Sequence, residues 1–136
     1  MNKPTPANLQ SPIALAYIGD SVFEILVRTR LVMSDIIPIR NFTNVSKNYL
    51  SARAQSQMYY SLQDFLDEDE RDILRRGRNA NPNSKAKNAS VAEYRNATGV
   101  ESLFGYLYLS EKYNRIMELF DICWQTSEGV LENNEN

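Results

Sequence analysis

The hydrophobic and polar positions along the chain repeat with a helical period, and no segment shows the alternation typical of a strand. The first helix is predicted from Ile13 to about Met33, and Ser11 followed by Pro12 predicts where it begins. From Pro12 to Val27 nearly every position is apolar or small. A helix with so few polar positions is expected to be buried on most of its sides. Residues 1–10 lack this pattern and are predicted to be a flexible arm.

Capping signals predict where the other helices lie. A second helix is expected from a cap at Thr43 or Asn44 to about Leu62. The segments DEDE, from residue 67, and SVAE, from residue 90, have capping-box spacing and predict the starts of a third and a fourth helix. The third ends near residue 78, before an exposed polar loop at 79–89. A last helix covers roughly 112–128, with Gly129 just past its end and a frayed tail at 130–136.

These elements predict an all-α protein with about five main helices and one domain over residues 11–129. The chain has 136 residues, of which 43% are hydrophobic and 24% charged, as in one ordinary soluble domain. No apolar run reaches the roughly 20 residues of a membrane span, and the first ten residues lack the apolar segment of a signal peptide. A cytoplasmic location is therefore expected. A chain this short also gains stability from a partner subunit.

Composition restricts the chemistry that the chain can perform. It has no histidine, which excludes histidine-based triads and His-rich zinc sites. Its single cysteine, Cys123, cannot form an internal disulfide, and its neighbours Ile122 and Trp124 favour a packed helix residue over a nucleophile. Hydrolytic chemistry would therefore depend on carboxylates and hard metal ions.

Two acids interrupt the apolar first helix. Asp20 and Glu24 are four positions apart and therefore share one face of it. Unpaired carboxylates on a largely buried helix repel each other and lose their hydration, and a divalent cation would remove both problems. The alternatives are ion pairs with Arg28, Arg30 or a distant lysine, or a face that is exposed to water.

One further acid, Glu101, stands in the apolar run 100–109 of the fourth helix, between Gly99 and Gly105. The two glycines allow either close packing against another helix or a bend. Glu101 is either a surface residue beside the core or, if folding brings it to Asp20, the second ligand of a metal site. Oxygen ligands without histidine suit Mg²⁺, with Mn²⁺ as a substitute, and such a site suits phosphodiester hydrolysis.

The net charge of −2 is distributed unevenly along the chain. Residues 71–95 include seven basic and two acidic residues, a net charge of +5 on an otherwise acidic protein, which indicates a local contact with a polyanion. The residue types suit the phosphates, sugars and bases of RNA. A solvated helix end with a polar loop is the alternative. The candidate RNA-binding residues are Arg76, Arg78, Asn79, Lys85, Lys87, Asn88, Tyr94 and Arg95, with Lys47 and Arg53 of the second helix as a weaker set.

Four segments give the chain a resemblance to a known family. ALAYIGDSVFE (14–24) resembles the signature of the ribonuclease III family, in which a Gly-Asp pair is followed four residues later by Glu. Three further segments resemble its Mini-ribonuclease III branch, which has no double-stranded-RNA-binding domain after the catalytic domain. They are SKNYLSARAQSQ (46–57), RRGRNAN (75–81) and KNASVAEYRNATGVESLFGYLYL (87–109).

The resemblance implies an all-helical, homodimeric endonuclease domain, with an RNA duplex lying across both subunits. It implies that Asp20 is a catalytic carboxylate and metal ligand, that Glu101 is the second metal ligand, and that Glu24 is a supporting group of the catalytic site. The implied activity is Mg²⁺-dependent hydrolysis of double-stranded RNA to 5′-phosphate and 3′-hydroxyl ends. The loop at 76–95 would hold RNA, and the branch is associated with maturation of the 23S ribosomal RNA precursor.

Two positions depart from the general family pattern. Ala16 and Thr98 stand where full-length members have acids, and both departures resemble the Mini branch. Fewer carboxylates then remain in each site. We therefore expect weaker metal binding and greater reliance on substrate phosphate to complete the coordination shell.

Alternatives remain for both assembly and function. The apolar first helix favours a symmetric dimer, and a monomer with this helix at its centre is the alternative. A non-catalytic RNA-binding or ribosome-associated protein on the same fold would have no need of the acids. A phosphohydrolase of small nucleotides would have no need of the basic segment. The sequence does not indicate whether a ribosomal protein stimulates the activity, or which one.

Overall fold

The computed structural model describes residues 5–80 and 90–135, with side chains as far as residue 128, and these residues form α-helices and short turns but no strand. The helices are α1 (Pro12–Met33), α2 (Phe42–Leu50), α3 (Ala52–Leu62), α4 (Glu68–Asn79), α5 (Val91–Leu109) and α6 (Tyr113–Glu135). The 3₁₀ turns are Ala7–Leu9, Ile39–Asn41 and Gln63–Phe65. The predicted all-α class is confirmed, with six helices in the described residues where the sequence predicted about five.

The first helix begins and ends as predicted. Pro12 occupies the first turn of α1, where an N–H would have no partner within the helix. The Ser11 side chain makes no capping hydrogen bond, so the proline alone marks this start. At the other end the Ser34 hydroxyl donates to the carbonyl oxygen of Leu31 at 2.7 Å, and Asp35, with φ of 59°, turns the chain out of the helix.

The predicted second helix is two helices. α2 and α3 are separated at Ser51, whose φ of −65° and ψ of 154° are extended rather than helical. Its hydroxyl accepts a hydrogen bond from the N–H of Ala54 at 3.1 Å and so caps α3. Serine interrupts a helix in this way because its short side chain reaches the neighbouring backbone. The prediction of one continuous helix is therefore wrong, and Lys47 and Arg53 lie on separate helices.

Both predicted capping boxes are confirmed. At the start of α4 the Glu70 N–H donates to the Asp67 carboxylate at 2.8 Å, and the Asp67 N–H donates to the Glu70 carboxylate at 2.9 Å. Ser90 and Glu93 make the same reciprocal pair at the start of α5, with both distances 3.0 Å. These signals are local, so the sequence alone is sufficient to place them.

Two helices continue past their glycines. Of the two alternatives that Gly99 and Gly105 left open, close packing is the one observed: α5 runs from Val91 to Leu109 without a bend, and both glycines lie against neighbouring helices. α6 continues through Gly129 to Glu135, so the predicted helix end near residue 128 is wrong.

The core is built around α5, which packs against α1, α3 and α4. Phe23 of α1 contacts Phe104 of α5 and Phe120 of α6 edge to face, with ring centroids 5.3 and 5.5 Å apart. Cys123 is fully buried beside them, and burial raises the pKa of its thiol well above its usual range, as expected of a packed helix residue. None of the described helices combines the length and apolar content needed to cross a membrane.

One buried ion pair fastens α6 to the start of α4. Arg115 donates from Nε and Nη2 to the two carboxylate oxygens of Glu70, both at 2.8 Å, and from Nη2 to the carbonyl oxygen of Phe65 at 2.6 Å. Glu70 is only 1% exposed. Burial would raise its pKa, but hydrogen bonds from Arg115 and the Asp67 backbone, with the charges of Arg115 and Lys112, hold the pKa below its usual value.

Replacing Arg115 by Met should lower the free energy of unfolding by about 3 kcal/mol, because a buried carboxylate would lose its partner. Urea unfolding followed by circular dichroism measures this loss. Arg75→Met is the matched control, because Arg75 pairs with Asp72 at the surface. Its effect should stay below about 1 kcal/mol. Equal losses in the two variants would contradict a special role for the buried pair.

Candidate active site

α1 and α5 approach each other through their backbones at two glycines. A Cβ atom added to Gly19 would lie 1.7 Å from the carbonyl oxygen of Glu101, and one added to Gly105 would lie 1.9 Å from the carbonyl oxygen of Leu15. Both distances are far too short for a real side chain. Glycine is therefore required at both positions for the two helices to pack so closely.

This close approach brings Asp20 and Glu101 together, although they are 81 positions apart in the sequence. Asp20, which follows Gly19, is exposed, whereas Glu101 is partly buried, and their carboxyl groups share a hydrogen bond. Burial, the charge of Asp20 and this hydrogen bond together raise the pKa of Glu101 to about 8. At neutral pH Glu101 therefore largely retains its proton, in the hydrogen bond to Asp20.

Glu24 lies one turn further along α1 and has a different partner. Its carboxylate accepts a hydrogen bond from Arg28 at 2.7 Å, one of the ion pairs that the sequence offered as an alternative. Both residues line a cavity of about 370 Å³ between α1 and α2, together with Lys47 of α2. Arg30, the other basic residue named for this helix, pairs instead with Asp121 of α6.

The donor set of Asp20 and Glu101 fits a hard divalent cation. Two carboxyl groups in contact, one of them partly buried, repel each other when both are ionised, and a cation between them would replace the shared proton. Within the described residues no cluster of three or more potential metal ligands occurs. The two carboxyl groups of Asp20 and Glu101 match the way Mg²⁺ is bound, through one or two carboxylates with several waters or substrate oxygens.

Arg76 is used within the fold. Its guanidinium donates from Nη1 to the carbonyl oxygen of Asn8 at 2.9 Å and from Nη2 to that of Gln10 at 3.4 Å. These contacts fasten the 3₁₀ turn Ala7–Leu9 to α4. Much of the hydrogen-bonding capacity of this arginine is therefore directed to the protein backbone.

Arg78 and Asn79 end α4. Arg78 donates from Nε to Oδ1 of Asn96 at 2.9 Å, and Asn79 is exposed. Asn96 also donates to the hydroxyl of Ser56 at 3.0 Å. Asn96 was not among the predicted functional residues. A short polar side chain between small residues gives no sign in the sequence that it will be buried and hydrogen-bonded to an arginine.

The other candidate RNA-binding residues are dispersed. Lys47 and Arg53 are exposed on α2 and α3. Tyr94 and Arg95 are half-buried in the first turns of α5. Three further candidates lie outside the described residues: Lys85, Lys87 and Asn88.

Comparison with known proteins identifies the class. Residues 13–112 match the family model described as Ribonuclease III domain. The chain therefore belongs to the ribonuclease III family, and the predicted enzyme class, a ribonuclease, is confirmed.

The nearer relatives are of one kind. The chain is 38% identical over 122 residues to the Mini-ribonuclease 3 of Brevibacillus brevis, covering 90% of this chain and 91% of the relative. It is 37% identical over 124 residues to that of Streptococcus pneumoniae, covering 90% and 97%. A crystal structure of a Fusobacterium nucleatum protein matches with a TM-score of 0.76 and 26% identity, covering 86% of this chain and 93% of that one. The predicted resemblance to the Mini-ribonuclease III branch is confirmed.

Replacing Glu101 by Gln should change how stability depends on pH in the absence of metal. The pKa of Glu101 is about 8 in the folded protein and near its ordinary value of 4.5 when unfolded. The folded state therefore binds the extra proton between these values, and this stabilisation is lost as the pH rises towards 8. Relative to Glu101→Gln, the wild-type protein should lose thermal stability between about pH 5 and about pH 8.

Thermal unfolding in EDTA across this pH range measures the difference. Glu111→Gln, which removes an exposed carboxylate after α5, serves as the control and should follow the wild-type profile. If the thermal stability of the wild-type and Glu101→Gln proteins changed with pH in the same way, this would contradict the claim that Glu101 holds a proton in its hydrogen bond to Asp20.

Proposed function

We propose that this chain is a Mg²⁺-dependent endoribonuclease that hydrolyses double-stranded RNA to 5′-phosphate and 3′-hydroxyl ends. The observation that carries the proposal is the contact between the carboxyl groups of Asp20 and Glu101 at the crossing of α1 and α5. Membership of the ribonuclease III family and the absence of histidine both support carboxylate-held metal chemistry.

Asp20 and Glu101 would hold the ion through their carboxylate oxygens, with Mn²⁺ as a substitute for Mg²⁺. A bound divalent cation activates a water for attack on phosphorus and stabilises the leaving oxygen. To bind it, the two acids release the proton that they share. Glu24, a supporting group of the catalytic site in this proposal, lies one turn away from Asp20, where its carboxylate pairs with Arg28 at 2.7 Å.

The RNA contacts follow from the basic residues around these helices. Arg78, Asn79 and Arg95 lie on either side of the 81–89 segment, and Lys47 lines the cavity beside Glu24. Arginine and lysine side chains at such positions neutralise phosphates without reading sequence. The full set in this proposal is Lys47, Arg53, Arg76, Arg78, Asn79, Lys85, Lys87, Asn88, Tyr94 and Arg95.

The physiological substrate that we propose is the 23S ribosomal RNA precursor in the cytoplasm. The support is the series of relatives named Mini-ribonuclease 3, together with the four sequence segments that resemble that branch. A duplex stem suits a protein whose basic residues provide phosphate contacts, because A-form RNA is recognised mainly through its backbone and 2′-hydroxyls.

We further propose that the active form is a homodimer joined through α1. The prediction that α1 is buried on most sides is wrong for one subunit, which leaves a face of the helix exposed that carries large apolar side chains beside Ser21 and Arg28. Tyr17 is 83% exposed, Ile25 59% and Val32 56%, and their spacing puts them on one face. An isologous contact would bury the same stripe of both subunits.

Replacing Asp20 by Asn should reduce cleavage of a duplex RNA in Mg²⁺ at least about 100-fold while leaving RNA binding intact, because one metal ligand would lose its charge. Gel-resolved cleavage and a separate binding titration measure the two effects. Asp64→Asn, which neutralises an exposed acid of the 3₁₀ turn after α3, is the control and should keep full activity.

Each contrary outcome identifies a different function. Binding without cleavage by the wild-type protein, unchanged in Asp20→Asn, would favour a non-catalytic RNA-binding protein. Hydrolysis of nucleotides but not of RNA would favour a small-molecule phosphohydrolase.

Replacing Tyr17 by Glu should convert the dimer into a monomer of 15.6 kDa, because a charge in the middle of an apolar contact would be buried without a partner. Sedimentation equilibrium measures the mass. Tyr60→Glu is the matched control, because Tyr60 is 65% exposed on α3, and it should leave the dimer intact. A monomeric wild-type protein, or a dimeric Tyr17→Glu variant, would refute the contact through α1.

A further inference from the structure

A buried amide joins three helices beside the end of α4. Asn96 of α5 is 1% exposed, and its Oδ1 accepts a hydrogen bond from Nε of Arg78 at 2.9 Å. Its Nδ2 donates to the hydroxyl of Ser56 on α3 at 3.0 Å, and Ser56 is itself buried. Both ends of the amide are therefore paired, and the Arg78 side chain is held at one defined atom.

Packing alone does not explain an amide at this position. A buried polar group is tolerated only when it is hydrogen-bonded, whereas an apolar side chain of similar volume carries no such requirement. Leucine would fill much of the same space but would offer nothing to Arg78. What Asn96 adds is an acceptor that fixes the direction of a charged side chain.

Arg78 keeps hydrogen-bonding capacity beyond this contact. Its Nη1 lies 3.5 Å from Oδ1 of Asn79, which is a long contact, and its Nη2 has no partner among the described side chains and backbone. A guanidinium has five N–H donors in one plane, so engagement of Nε leaves the Nη atoms for another acceptor. Paired N–H donors of this kind match the oxygens of a phosphate.

We propose that Asn96 is a positioning residue that fixes Arg78 so that its Nη atoms receive an RNA phosphate. This proposal rests on the proposed function, because it requires that the protein bind RNA. Asn96 does not touch the RNA itself and acts through Arg78. A long side chain that is ordered before binding loses less rotational freedom on binding, which corresponds to about 2- to 12-fold in affinity.

A double-mutant cycle tests this role. The affinity for a duplex RNA is measured in an Asp20→Asn background, so that cleavage does not interfere, for Asn96→Leu, Arg78→Met and the double variant. Asn96→Leu should weaken binding about 2- to 12-fold, and Arg78→Met at least as much. The double variant should bind no more weakly than Arg78→Met alone, because Asn96 has no other route to the RNA. Losses that multiply in the double variant would overturn the proposal.

Gln55→Met is the matched control for a general loosening of the core. Gln55 is a buried amide of α3, 4% exposed, whose Nε2 donates to the carbonyl oxygen of Leu50 at 3.2 Å. Its replacement should leave RNA affinity unchanged. A loss as large as that of Asn96→Leu would assign the effect to packing and overturn the positioning role.

A second variant keeps the test decisive if Asn96→Leu does not fold, as judged by circular dichroism. Asn96→Asp retains an acceptor for Nε but places a negative charge against Arg78, so the plot of log affinity against log salt should become shallower by about 0.9. An unchanged slope and affinity would overturn the positioning role alone. Failure of the parent protein to bind duplex RNA would overturn the proposed function together with it.

Discussion

The closest approach of α1 and α5 is the constraint on which the rest of the structure depends. At Gly19 and Gly105 the space for a side chain is already occupied by a backbone carbonyl of the other helix. A single Cβ at either position would force the axes apart, and packed helices do not absorb such a shift without losing their other contacts. Phe23 and Phe104, which meet edge to face along the same two helices, depend on this spacing.

The same spacing determines the electrostatics of the site. Asp20 is adjacent to one of these glycines, and the carbonyl of Glu101 is what that glycine touches, so the backbones of the two acids cannot move apart without separation of the helices. Burial of Glu101 first, and then the charge of Asp20, raise the pKa of Glu101. In the proposed function, a preformed pair of this kind would bind a cation without first reorganising the backbone, which would compensate in part for the small number of carboxylates.

Sequence reasoning succeeded where the signal was local. The capping boxes at Asp67 and Ser90 are complete within four residues, and each structural start agrees with them. It failed at two helix boundaries: Ser51 divides the predicted second helix, and α6 passes through Gly129. At Gly105 the sequence left a bend or close packing open, and the contact with α1 decides for close packing. The meeting of Asp20 with Glu101 was anticipated through the family resemblance, since residue spacing alone left a surface position for Glu101 equally open.

The number of basic residues in a segment is larger than the number of basic side chains that are free to bind RNA. Arg76 directs two donors to the backbone of the N-terminal turn, whereas Arg78 commits only its Nε to Asn96. Both arginines keep their charge, but only Arg78 keeps the Nη donors that give a phosphate contact its geometry. Arginines of equal formal charge, two positions apart, therefore differ in what they can offer a ligand, and only the hydrogen-bond partners of each side chain reveal the difference.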